Sequence, residues 1–228
     1  MTFAQSFLLP QAPTVQPDEV LPGCVVLLLH GLGGHPDPLR PFASALAPQA
    51  VVQVPAGPVL QADGNRAWWP VDPARRQARL AQGPVDLAQR DPDGRDAAHA
   101  VLAQALADAR RAHPGLPVVL AGYSQGGMLA LDHVLTQPGP RVDGLALLSA
   151  SRIALPTWLP RLHRLAGLPV LVAHGRQDAD LSFAAGEGLR DLVQAGGARV
   201  RWLPFDGGHE LPMVVWRALR RLVAEVCA

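Results

Sequence analysis

Short aliphatic runs, each separated from the next by a stretch with helical spacing, constrain this chain more than any other feature. Residues 25–29, 118–121 and 170–173 carry no polar face, and residues 142–148 carry none beyond Asp143 and Gly144. A strand that is apolar on both faces must be covered on both faces, which implies a mainly parallel sheet sandwiched between helices, an α/β class. Helical spacing is expected over 38–47, 96–112, 128–136, 182–195 and 211–226, with a further short strand at 51–54 and a short helix or loop at 156–166. The last helix carries an apolar stripe of Val214, Val215, Leu219, Leu222 and Val223. Residues 199–203 alternate Arg199 and Arg201 with Val200 and Trp202, as an edge strand would. Only residues 55–95 break the rhythm. They are rich in Pro, Gly, Asp and Arg, and read either as a surface excursion or as a lid or pocket wall.

The 228 residues suit a single α/β domain spanning 1–228, and 49% hydrophobic residues suffice for a large core. A formal net charge of +1 without runs of like charge speaks against nucleic acid or an acidic membrane as partner. All 20 basic residues are arginine, which with abundant Ala, Pro and Gly reflects a GC-rich coding bias. The N-terminus lacks the charged leader and long apolar core of a secretory signal, and no aliphatic run is long enough to span a bilayer. A cytoplasmic protein is expected. Cys24 and Cys227 read as a buried thiol and a tail thiol, with no metal-ligand spacing and no disulfide framework.

Chemistry concentrates where the aliphatic run at 118–121 meets Gly122-Tyr-Ser124-Gln-Gly126-Gly127. A serine hydroxyl is a weak nucleophile that must be offered to a base and a substrate together. A sharp strand-to-helix turn lifts it above the sheet edge, and small neighbours make that turn possible. The competing reading is a glycine-rich turn with a capping serine. Among eight histidines, His30 and His174 close aliphatic strands and read as structural, and His133 lies within the helix after the turn. His209 follows the last strand in Asp-Gly-Gly-His-Glu and is the favoured base. Asp178 follows the strand at 170–173 by one loop and is preferred over Asp180 as the group orienting that base. Developing negative charge on a substrate would be met by the backbone N–H of Leu32, in the Gly-rich 30–35 loop, and of Gln125. A dinucleotide loop fails there on spacing, because a third glycine would be needed at Pro36. Trp68, Trp69, Ile153, Leu181 and Leu211 lie at motif ends and are candidate walls of an apolar substrate pocket.

These pieces, "LLHGLGG" (28–34), "AGYSQGG" (121–127), "LALLSA" (145–150), "HGRQDADLSF" (174–183) and "GGHEL" (207–211), resemble the carboxylesterase/phospholipase group of α/β-hydrolases, which includes acyl-protein thioesterases and bacterial carboxylesterases. "NRAWWP" (65–70) is similar to that group's acyl-pocket segment, with Pro70 where an Asp is common. The resemblance implies an α/β-hydrolase fold, Ser124 as nucleophile, His209 as base, Asp178 as its orienter, and Leu32 and Gln125 as oxyanion donors. It implies hydrolysis of a small or medium carboxylic ester or thioester through an acyl-enzyme, without metal or organic cofactor. The alternatives are a non-catalytic domain binding a hydrophobic small molecule, and an acyltransferase or perhydrolase using the same three residues.

Overall fold

The structure, a computed structural model, describes residues 23–35, Leu39 and residues 50–228. The expected helix over 38–47 lies outside the described residues apart from Leu39. The main sheet has the order β2-β1-β5-β6-β7-β8, with every neighbouring pair parallel. Its strands are β1 (Cys24–Leu29), β2 (Ala50–Gln53), β5 (Val118–Tyr123), β6 (Gly144–Leu148), β7 (Pro169–Gly175) and β8 (Arg199–Phe205). The helices are α1 (Pro73–Leu80), α2 (Arg95–Ala112), α3 (Gln125–Thr136), α4 (Leu155–Trp158), α5 (Phe183–Ala195) and α6 (Met213–Val226), with a 3-10 turn over Leu159–Leu165.

The period of two along each strand divides the core into two layers. Val25, Leu27 and Leu29 of β1 and Val118 and Leu120 of β5 face one side, where Leu102 of α2, Leu129 of α3 and Leu189 of α5 cover them. Cys24, Val26 and Leu28 face the other side with Val119 and Ala121, beneath Val215, Leu219, Leu222 and Val223 of α6. Truncating any of the fully buried leucines, Leu120 for example, to alanine costs about 2–5 kcal/mol. Val214 departs from the expected stripe on α6 and is 42% exposed. Among the described residues β8 pairs in the sheet with β7 alone, and it exposes Arg199 and Arg201, the pattern of an edge strand.

One expectation is corrected. Cys24 and Cys227 are not separate thiols but a disulfide, with Cα atoms 5.1 Å apart. α6 runs back over β1, and a sequence separation of 203 residues hides the pairing from any local pattern. Residues 55–95 hold short elements of their own. They contain an antiparallel hairpin of β3 (Val59–Leu60) and β4 (Arg66–Ala67), followed by α1. Asp72 caps α1 by accepting the N–H groups of Ala74 and Arg75 at 2.9 and 3.2 Å. The segment is fastened to the sheet loops at several points. Arg66 N–H donates to Gly34 O (2.9 Å), Val85 and Leu181 form a parallel bridge, and Leu87 N–H donates to the Ser151 hydroxyl (2.9 Å). α1 itself contributes no buried residue.

Candidate active site

The site lies above the carboxyl ends of β5, β7 and β8, the end of a parallel sheet at which loops from several strands converge. β5 ends at Tyr123 and α3 begins at Gln125, so Ser124 makes the whole turn, at φ 52° and ψ −117°. That positive φ is strained for a side chain with a Cβ, and the surrounding packing enforces it. A Cβ on Gly126 would stand 2.5 Å from His30 O and 2.6 Å from Leu29 O, so α3 rests directly against the β1 backbone. A Cβ on Gly122 would strike the backbone of Gly126 and Gly127. Ser124 N–H is secured to Leu148 O at 2.8 Å.

His209 and Asp178 arrive from the loops after β8 and β7. His209 Nε2 is 2.9 Å from Ser124 Oγ, and its Nδ1 is 2.7 Å from Asp178 Oδ2. With Nδ1–H donated to the carboxylate, Nε2 is left to accept the serine proton. Burial alone would raise the Asp178 carboxyl, but the hydrogen bond and charge of His209 and the N–H groups of Leu181 and Asp180 hold it below its ordinary value. Both N–H groups donate to Oδ1 at 2.9 Å, leaving Oδ2 for His209. Asp180, the rival, turns away to pair with Arg76 and, at 2.8 Å, with Arg79.

Supporting contacts that the sequence did not single out surround this line. Tyr123 OH donates to His209 O at 2.7 Å, and its ring lies 5.1 Å from the imidazole. Burial keeps that phenol protonated by raising its pKa. His174 is fully buried and kept neutral by burial, and its Nε2–H donates to Leu181 O at 3.0 Å, steadying the Asp178 loop. The Gln125 side chain is more informative. Its Oε1 accepts Trp68 N–H at 2.9 Å and its Nε2 donates to Trp69 O at 3.0 Å. Trp68 in turn donates its indole N–H to His30 O at 2.8 Å and stacks on the His30 ring. His30 and Gln125 are thereby cross-braced through one tryptophan.

Leu32, Ser124 and Gln125 share a cavity of about 440 Å³. Of the expected pocket residues, Trp69 and Leu181 line it. Three expectations are corrected. Trp68 is fully buried beneath the cavity as the brace just described, Ile153 is fully buried in the core under α3, and Leu211 packs against the core layer beneath α6. Nor is the pocket uniformly apolar. Trp69, Leu87, Met128 and Leu181 line it together with Arg75, Arg76, Arg79 and Arg90 and with Asp72, Asp91, Asp93 and Asp180. Among the described residues no group of three or more His, Cys, Asp and Glu stands together as a metal site, and no helix is long and apolar enough to cross a membrane.

A parallel sheet of this order with a strained serine between strand and helix defines an α/β-hydrolase. The chain belongs to the phospholipase/carboxylesterase family, whose sequence model matches residues 10–224. Solved structures share the fold. Esterase PE8 superposes with a TM-score of 0.74 at 24% identity, covering 90% of this chain and 94% of that one. The Zea mays acyl-protein thioesterase 2 gives 0.70 at 19% identity, over 94% and 97% of the two chains. Arabidopsis thaliana SOBER1 gives 0.63 at 21%, over 90% and 99%. No curated protein matches the sequence.

Proposed function

We propose that the chain is a serine hydrolase of carboxylic esters or thioesters, acting through an acyl-enzyme on small or medium acyl substrates. The observation that carries this reading is the unbroken line Asp178 Oδ2–His209 Nδ1, His209 Nε2–Ser124 Oγ, at 2.7 and 2.9 Å. His209 takes the hydroxyl proton as Ser124 Oγ bonds to the acyl carbon, and Asp178 stabilises the imidazolium that results. The carbonyl π-electrons move onto oxygen, and the N–H groups of Leu32 and Gln125 meet that charge. Collapse of the tetrahedral adduct expels the alcohol or thiol, to which His209 returns the proton. Water, deprotonated by the same imidazole, then releases the acid and restores Ser124. The esterase and thioesterase among the structural neighbours fit this chemistry.

A fluorophosphonate probe, applied to wild type and Ser124→Ala alongside p-nitrophenyl esters and acyl thioesters, tests the reading. Labelling and hydrolysis should vanish together in the variant, with a rate loss of several orders of magnitude. Hydrolysis undiminished in Ser124→Ala, or folded wild type that takes no label, sinks it; the second result favours a binding domain.

A further inference from the structure

The phenol of Tyr123 takes no part in the reaction steps just described. It is the only tyrosine in the chain. It ends β5 one residue before the nucleophile, and it is absent from the lining of the cavity that Leu32, Ser124 and Gln125 share. A phenylalanine would fill the same half-buried place with no polar atom to satisfy, so the hydroxyl is informative through its partner, the backbone carbonyl of His209.

The loop that carries His209 is fastened at its start to the loop that carries Asp178. Arg176 N–H donates to Phe205 O and Gln177 N–H to Gly207 O, both at 2.9 Å. A Cβ on Gly175 would stand 2.2 Å from Gly208 O, so the two backbones are in direct contact. Together with His209 Nδ1 on Asp178 Oδ2 at 2.7 Å, these contacts set the imidazole relative to Asp178. They join the ends of β7 and β8 and leave out β5, from which Ser124 projects. Apart from the reactive contact itself, the described residues tie the His209 loop to β5 through the hydrogen bond from Tyr123 OH to His209 O, at 2.7 Å. A longer contact, Ser149 Oγ to Glu210 O at 3.4 Å, reaches the same loop from the end of β6.

The Tyr123 ring is itself held firmly. A Cβ on Gly31 would stand 2.9 Å from its Cδ1, so the ring packs on the backbone just before Leu32, and its centroid is 5.1 Å from that of the imidazole. Burial raises the phenol's pKa, and the negative charges of Asp178, Asp180 and Glu210 raise it further, so the group remains a donor at neutral and mildly alkaline pH.

We infer that Tyr123 is a positioning residue for ester hydrolysis: its hydroxyl holds the His209 backbone against β5 and so aligns Nε2 with Ser124 Oγ, while the loop contacts align Nδ1 with Asp178. This rests on the ester-hydrolase reading and adds to it the group that registers the base on the nucleophile. The held carbonyl and Nε2 belong to one residue, so movement at the first passes directly to the second. A misplacement of about 1 Å between reacting groups costs up to about a hundredfold in rate.

Tyr123→Phe removes the hydroxyl and keeps the ring. The experiment compares the variant with wild type on the p-nitrophenyl ester that wild type hydrolyses fastest, with circular dichroism as the check on folding. The variant's kcat should fall about ten- to a hundredfold, with KM within about twofold of wild type, because Tyr123 does not line the cavity and His209 serves both acylation and deacylation. Fluorophosphonate labelling of Ser124 should slow in proportion. The far-downfield proton resonance of His209 Nδ1–H, held by the Asp178 carboxylate, should survive the substitution. A kcat within about twofold of wild type overturns the inference and leaves the hydrolase reading standing. A raised KM with kcat unchanged also overturns it, since the hydroxyl would then act on substrate binding. So does loss of the downfield resonance together with activity, which would show the whole loop coming away. Wild type that neither labels nor hydrolyses any ester overturns both readings.

Discussion

Replacing Gln125 by Met tests the brace beneath the site. The substitution keeps the backbone N–H and roughly the same side-chain length, but removes the acceptor for Trp68 N–H and the donor for Trp69 O. Trp68 is fully buried and Trp69 4% exposed, so water cannot replace either partner without opening the cavity floor. A buried polar group deprived of its partner costs about 1–3 kcal/mol, hence about 2–6 kcal/mol for the two. In a chain of this size each kcal/mol lowers Tm by about 2–4 °C, so thermal unfolding followed by tryptophan fluorescence should shift down by roughly 5–20 °C. Gln125→Glu refines the test. Its ionised carboxylate still accepts from Trp68 N–H but faces Trp69 O with no proton to donate, so the folded state raises its pKa above the ordinary value near ~4.3. Its protonated form satisfies both partners. The Glu variant should therefore match wild type below that value and lose stability as pH rises through the raised pKa. A Tm for Gln125→Met within about 1 °C of wild type would refute the reasoning, because both orphaned groups would then have found other partners.

Three further outcomes are expected. Burial, with the charges of His99, Arg110 and Arg164 working the same way against a weaker pull from Asp132, lowers the His133 imidazole to about 4. The unfolded chain thus takes up a proton below its ordinary 6.5 that the fold refuses, so stability falls by up to about 3 kcal/mol as pH drops through that window. Denaturant midpoints of wild type and His133→Leu should converge toward acid pH, and parallel curves would contradict this. Asp180→Asn removes the ion pairs holding α1, a helix without buried residues, and trypsin should cut after Arg75, Arg76 or Arg79 about five to thirty times faster, as a loss of roughly 1–2 kcal/mol implies; an unchanged cleavage rate would mean that packing holds α1. Gly126→Ala places a methyl 2.5 Å from His30 O, against backbone that cannot rotate aside, and should cost 3 kcal/mol or more, or yield no folded protein in circular dichroism; a soluble variant of wild-type Tm would be the contrary result.

Local chemistry made much of this legible in the sequence. The aliphatic runs announce buried parallel strands because only burial on both faces tolerates Val25 to Leu29 without a polar residue. Glycines flanking Ser124 announce a turn too tight for side chains, and the ends of β7 and β8 are the natural sources of Asp178 and His209. What could not be read depended on where distant segments dock. Trp68 and Trp69 are adjacent and alike in sequence, yet one stacks on His30 beneath the cavity and the other lines it. Ile153 and Leu211 sit beside site motifs in sequence but turn into the core. The turn motif points to the Gln125 backbone N–H, and nothing nearby in sequence signals that its side-chain amide grips Trp68 and Trp69. The pairing of Cys24 with Cys227 is hidden in the same way.

The edge position of β8 also bears on when the site comes into being. His209 hangs from the strand last in the chain, 85 residues from Ser124, and among the described residues β8 pairs with β7 alone in the sheet. Contacts of such high sequence separation are slow to form, since loop-closure entropy must be overcome before they can contribute. In a refolding experiment, helical ellipticity should therefore return before fluorophosphonate reactivity at Ser124. Until β8 has docked, His209 is not beside Ser124 and that hydroxyl has no base, so a chain lacking β8 should take no label.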